Sequence, residues 1–141
     1  MLRLFPLLII PVIIYNLFAL GGGVIAGHAV QSLGTASFTL TMFSGDKWNI
    51  SFFDFLLLLT LALLFIEVVK ATHTTSAELI NHGLSMLTFV ICLIEFITLK
   101  GFATTTFFFI MLMSLFDTVA GYTISIVAAE HDLGLGKAGT D

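Results

Sequence analysis

The sequence predicts an all-α membrane protein: a bundle of four transmembrane helices with a short β-hairpin in the loop between the first two. Three observations carry that expectation. The 141 residues are 58% hydrophobic and only 10% charged, with a mean hydropathy of +1.11. A soluble domain carries roughly 25% charged residues because its surface faces water, and this chain cannot clothe such a surface. Four apolar runs follow one another, each near the ~20 residues that a membrane helix needs. The one long connection between them changes from a helical period to a period of two.

The first helix is expected over about residues 4–20, closed by Gly21-Gly22-Gly23. Pro6 falls in its first turn, where a missing N–H costs little, and Pro11 falls inside, where it should kink the helix. An N-terminal apolar run of this kind resembles a secretory signal, but with three further runs behind it an uncleaved first helix suffices. In the loop, residues 21–49, Phe38, Leu40 and Met42 alternate with Ser37, Thr39 and Thr41. Ser44-Gly45-Asp46-Lys47 is turn material, and Trp48 and Ile50 alternate with Asn49 and Ser51. Two period-two runs about a turn read as a hairpin, with Trp48 suited to the headgroup boundary.

The second helix is expected over about residues 51–69. It opens on Ser51-Phe52-Phe53-Asp54, the spacing at which the first side chain and the third helical side chain cap each other's free N–H groups. The third, over about 76–99, opens on the similar Thr75-Ser76-Ala77-Glu78 and closes at Lys100-Gly101. The fourth covers about 104–129. Residues 1–133 then form one membrane domain, with 134–141 as a flexible tail. The short link between the third and fourth helices makes them antiparallel neighbours. Arg3, Lys70 and Lys137 fall on one side and Lys47 and Lys100 on the other. That excess places both termini in the cytoplasm of a bacterial-type inner membrane.

The same composition excludes several functions. A net charge of −4 with no basic cluster speaks against nucleic acid. The single cysteine, Cys92, cannot make an internal disulfide or a CxxC pair. Gly21-Gly22-Gly23 follows a helix and lacks the lysine of a phosphate loop. No catalytic motif is present and no cofactor is expected. A metal site on the side of His73, Glu78, His82 and His131 lacks HExxH spacing. Bis-histidine haem needs two facing histidines, and His82 alone lies clearly within a helix. The expected partners are the lipid bilayer and either a second copy or another membrane protein.

Ionisable residues inside a membrane helix are costly and are functional candidates by default. Glu67 lies three residues before Lys70, and Glu95 five before Lys100, so local ion pairs account for both. Asp117 lies mid-helix with no cation within a turn. On the third helix Asn81, Ser85, Thr88, Cys92 and Glu95 recur at steps of four and three, one stripe of a helix, with His82 beside it. The fourth carries Ser114, Asp117, Thr118, Gly121 and Ser125, mostly on one side. Two polar stripes on neighbouring helices should face each other. Counted down from the link between the helices, His82 and Asp117 lie at similar depth. The candidate intramembrane site is therefore Asp117 with His82, Ser85 and Asn81, joined by Glu67 and Glu95.

Four helices in so short a chain is similar in size to small multidrug exporters and fluoride channels. The first helix, however, offers only Asn16 where the exporters carry a carboxylate. The segment from Asn81-His82-Gly83 to Phe96, with Gly101-Phe102-Ala103-Thr104 and Asp117 to Gly121, resembles uncharacterised small four-helix bacterial inner-membrane proteins. That resemblance carries no activity. The leading expectation is a non-enzymatic accessory or scaffold subunit. The alternative is a small proton- or ion-coupled transporter or channel using Asp117 with His82.

Overall fold

A computed structural model describes residues 5–20, 33–72 and 76–137. The order is α1 (Ile9–Leu20), β1 (Ala36–Thr41), β2 (Lys47–Ser51), α2 (Phe52–Ala71), α3 (Ser76–Thr98) and α4 (Thr105–Lys137). Three stretches, Phe52–Ala71, Ile80–Thr98 and Thr105–Val127, are long and apolar enough to cross a membrane. That is the pattern of a multi-pass membrane protein.

α1 begins later than the sequence suggests. Two i→i−3 turns, Ile9 N to Pro6 O at 3.2 Å and Ile10 N to Leu7 O at 3.1 Å, precede it. Pro11 therefore stands in the first turn of the helix rather than in its middle. The N–H groups there have no intrahelical acceptor, so proline removes nothing. The twelve described residues of α1 reach only about 18 Å at 1.5 Å per residue.

The hairpin follows the predicted alternation. Phe38 pairs with Ile50 and Leu40 with Trp48, while Thr39 pairs with Asn49 and Thr41 with Lys47. Apolar pairs thus occupy one face and polar pairs the other. Thr39 Oγ1 donates to Asn49 Oδ1 at 2.9 Å. Gly45 turns the chain at φ 90°, the left-handed region that glycine enters without penalty. A register shift between Ala36 and Phe38 interrupts the ladder before its last pair, Ala36 with Ser51. Trp48 and Ile50 border a groove of about 340 Å³ with Phe55, Leu58, Leu61 and Met113, so β2 approaches α2 while Phe38, Leu40 and Met42 on the same apolar face stay exposed.

Ser51 caps α2 as expected, with both halves of the reciprocal box to Asp54 present. Thr104 caps α4 through Phe107 N at 3.2 Å, and Gly101 at φ 88° makes the corner between α3 and α4. α4 runs on to Lys137, past the expected end near Ala129. Gly134 and Gly136 lower helix propensity by about 1 kcal/mol each relative to Ala, but no proline removes a hydrogen bond, so the helix continues.

At the hairpin end Tyr15, Phe53, Phe102 and Phe107 stack against one another. Tyr15 also donates to Gly101 O at 2.9 Å and meets Thr104 Oγ1 at 2.7 Å, which ties α1 to the α3–α4 corner. Away from this cluster the packing is inverted relative to a soluble protein. Phe65 and Ile97 are 70% and 71% exposed, while Glu67 and Asp117 are 1% and 2% exposed. Large apolar side chains face outward along every helix.

Candidate functional site

Polar side chains from three helices meet at the end of the bundle away from the hairpin. α2 supplies Glu67 and Lys70 from its last turn and a half. The Lys70 ammonium lies 2.9 Å from Glu67 Oε2 and 3.1 Å from Oε1, the i,i+3 pair that the sequence anticipates. α3 supplies Asn81, whose Nδ2 donates to Glu67 Oε1 at 2.6 Å. The backbone N–H of Leu7, just before α1, reaches Glu67 Oε2 at 3.5 Å, the outer limit of a hydrogen bond. The Glu67 carboxylate is thus well supplied with donors.

α4 supplies Asp117, buried against the same group. It feels the charges of Glu67 and Lys70, and the Ser85 hydroxyl faces its carboxyl. Yet neither Ser85 Oγ nor Asp117 Oδ2 completes a hydrogen bond of good geometry, and Asn81 Oδ1 has no partner either. The other buried serine and threonine hydroxyls among the described residues are satisfied within their own helices. Thr60 bonds Leu56 O, Thr88 bonds Leu84 O, Ser114 bonds Ile110 O, and Thr118 bonds Ser114 O. This is the usual resort of Ser and Thr in a helix. Ser85 departs from it.

No family model, no curated protein and no solved structure matches this chain. The site therefore rests on its own chemistry.

The two predicted stripes are buried side by side. Asn81, Ser85, Thr88 and Cys92 on α3, and Ser114, Asp117 and Thr118 on α4, are all in the interior. The structure brings Asp117, Ser85, Asn81 and Glu67 together and adds Lys70, which the sequence suggested only as Glu67's neighbour at a helix end. His82 is buried too, but its Nε2 meets Ser125 Oγ at 3.1 Å and its ring packs near Tyr122. Ser125 lies eight residues beyond Asp117, about 12 Å along α4. The depth estimate set His82 level with Asp117. It counted residues from the link between the helices and ignored the direction in which each side chain leaves its helix.

Glu95 is elsewhere. It accepts from Asn16 Nδ2 at 3.1 Å, toward the hairpin end, in place of the expected pairing with Lys100. Asn16, Glu95 and Thr88 border an open groove of about 490 Å³ whose other walls are apolar, including Val12, Leu17 and Ile91. Among the described residues no group of His, Cys, Asp and Glu is arranged to hold a metal ion. His73, and the side chains of Glu78 and His131, lie outside the described residues, as does the second capping box.

What the cluster can do is limited by its composition. It holds two carboxyls, one amide, one hydroxyl and one ammonium. It can bind a proton or a small cation among oxygens, and it can couple that binding to the packing of α2, α3 and α4.

Proposed function

We propose that this chain is a four-span membrane protein that binds a proton or small cation in its interior and couples that binding to transport. The observation that supports this best is the cluster of Glu67, Lys70, Asn81, Ser85 and Asp117. Polar groups that only hold membrane helices together are expected to satisfy one another. Here Asp117 Oδ2, Ser85 Oγ and Asn81 Oδ1 are buried without completing a hydrogen bond of good geometry, although Ser85 faces the Asp117 carboxyl. An unsatisfied carboxylate deep in a membrane is held only where an occupant offsets its cost.

The proposed fourth span is α1 with residues 5–8 before it. α1 starts beside Glu67 and its Phe18 reaches Phe52 at the other end, so it runs the length of the bundle antiparallel to α2. Both termini are proposed to lie in the cytoplasm of a bacterial inner membrane, with the hairpin outside.

A second reading is an accessory or scaffold subunit, and the groove between α1 and α3 favours it. Glu95 is a half-buried carboxylate in an otherwise apolar wall, a feature that suits a polar residue on a partner's membrane helix. Reconstitution separates the two readings. Liposomes holding the purified protein, given a pH or sodium gradient, should dissipate it faster than empty liposomes. If no imposed gradient decays faster, the transport reading fails and the scaffold reading stands.

A further inference from the structure

Among the described residues, the interior cluster sets the Asp117 carboxyl beside a closed ion pair. Glu67 and Lys70 cancel as a pair at 2.9 Å. An ionised Asp117 beside them is then the surplus charge. Donors can be counted in the same way. Ionised Glu67 only accepts, so Asn81 must turn its NH2 toward it, as observed at 2.6 Å. That leaves Asn81 Oδ1 as an acceptor with no donor. Asp117 Oδ2 is a second such acceptor, and Ser85 Oγ, the hydroxyl facing it, completes a bond of good geometry with neither. One hydrogen cannot serve two acceptors.

We propose that the occupant of this site is a single proton held on Asp117, and that Ser85 and Asn81 link it to the Glu67–Lys70 pair. This rests on the ion-coupled reading above and names the ion. A proton does two things at once: it neutralises Asp117 and turns an acceptor into an O–H donor. That O–H donates to Ser85 Oγ, which faces it. The Ser85 hydrogen is then released to Asn81 Oδ1, one turn back on the same face of α3, where i and i+4 side chains are neighbours. A turn of the Ser85 side chain then closes one chain, Asp117 to Ser85 to Asn81 to Glu67 to Lys70, across three helices, of which the Asn81–Glu67–Lys70 part is already formed. A sodium ion fits less well. It needs several free oxygens, and both oxygens of Glu67 are already taken by Lys70 and Asn81.

Loss of the proton reverses the chain. Asp117 then recruits the Ser85 hydrogen and Asn81 Oδ1 is stranded, so α3 and α4 repack about Ser85. The ionisable groups beside Asp117 are Glu67 and Lys70 from α2, while His82 of α3 sits further along α4, against Gly121 and Ser125. Tyr15, the titratable residue of α1, lies at the other end of the bundle.

Infrared spectroscopy of the wild-type chain in lipid, with and without ¹³C-carboxyl aspartate, tests this. A protonated carboxyl has a C=O stretch that a carboxylate lacks. The expected result is such a band at neutral pH that moves with the isotope, unchanged when choline replaces sodium. Ser85→Ala should shift the band, since its hydrogen-bond partner is gone, without abolishing it. Asp117→Asn should remove it. If Asp117→Asn does not fold, the Ser85→Ala shift alone still assigns the band. No isotope-sensitive band at neutral pH, a band unmoved in Ser85→Ala, or a band that vanishes on adding sodium overturns the proposal. Ion flux is read separately. A band of the expected kind in a protein that moves no ions upholds the proton on Asp117 and removes only the transport reading.

Discussion

Gly121 illustrates how closely α3 and α4 meet below Asp117. A Cβ built there would collide with the ring of His82, which is itself buried and bonded to Ser125. Gly121→Ala should therefore force the ring out of place and lower stability by about 1–3 kcal/mol, the range for overpacking a filled interior. Thermal unfolding in detergent checks this, and an unchanged midpoint would mean the ring has room to move. The contact was not legible in the sequence, where Gly121 appeared only as a small member of a polar stripe. The stripes themselves were legible, because steps of three and four place residues on one face whatever the fold around them. Which members touch was not. Asn81 and His82 are adjacent in sequence but leave the helix about 100° apart, at 3.6 residues per turn. That rotation sends Asn81 to Glu67 on α2 and His82 to Ser125 on α4.

Among the elements, the hairpin and the start of α2 were the most legible. Both depend on local chemistry: a period of two about a glycine turn, and a serine and an aspartate spaced to cap each other. The bounds of α1 and α4 were not. Apolar composition does not record where a proline stops costing a hydrogen bond, nor whether a helix outlasts its last apolar stretch. The tie from Tyr15 to Gly101 and Thr104 was invisible for another reason. It joins residues more than eighty positions apart and has no periodic signature. The hairpin also gives a test at this scale. Trp48 is the chain's one tryptophan and lies on the apolar face over α2, where an aromatic ring suits the headgroup boundary. Its fluorescence in liposomes should be quenched more by spin labels at headgroup depth than by labels near the acyl-chain ends. Stronger quenching by the deep label would place the hairpin elsewhere.

Away from the aromatic cluster at the hairpin end, the described bundle reverses the arrangement of a soluble one, with Glu67, Asn81, Ser85 and Asp117 inside and large apolar side chains outside. Only a surrounding of low polarity makes that arrangement stable. The proposed topology puts three crossings between the hairpin and the C-terminus, so reporter fusions at residues 46 and 141 should give opposite signals. The same signal from both would reduce the crossings to an even number and break the proposed topology. The account's central claim is that Asp117 acts as an exchangeable ion site and not only as glue between helices. Thermal stability and proton flux, measured together on Asp117→Asn and Asp117→Leu, test it most directly. Asn keeps the shape and the capacity to hydrogen-bond but cannot exchange a proton. It should leave the unfolding midpoint close to wild type and abolish flux. Leu offers Ser85 no partner and should lower the midpoint as well. Wild-type flux through Asp117→Asn would contradict the account.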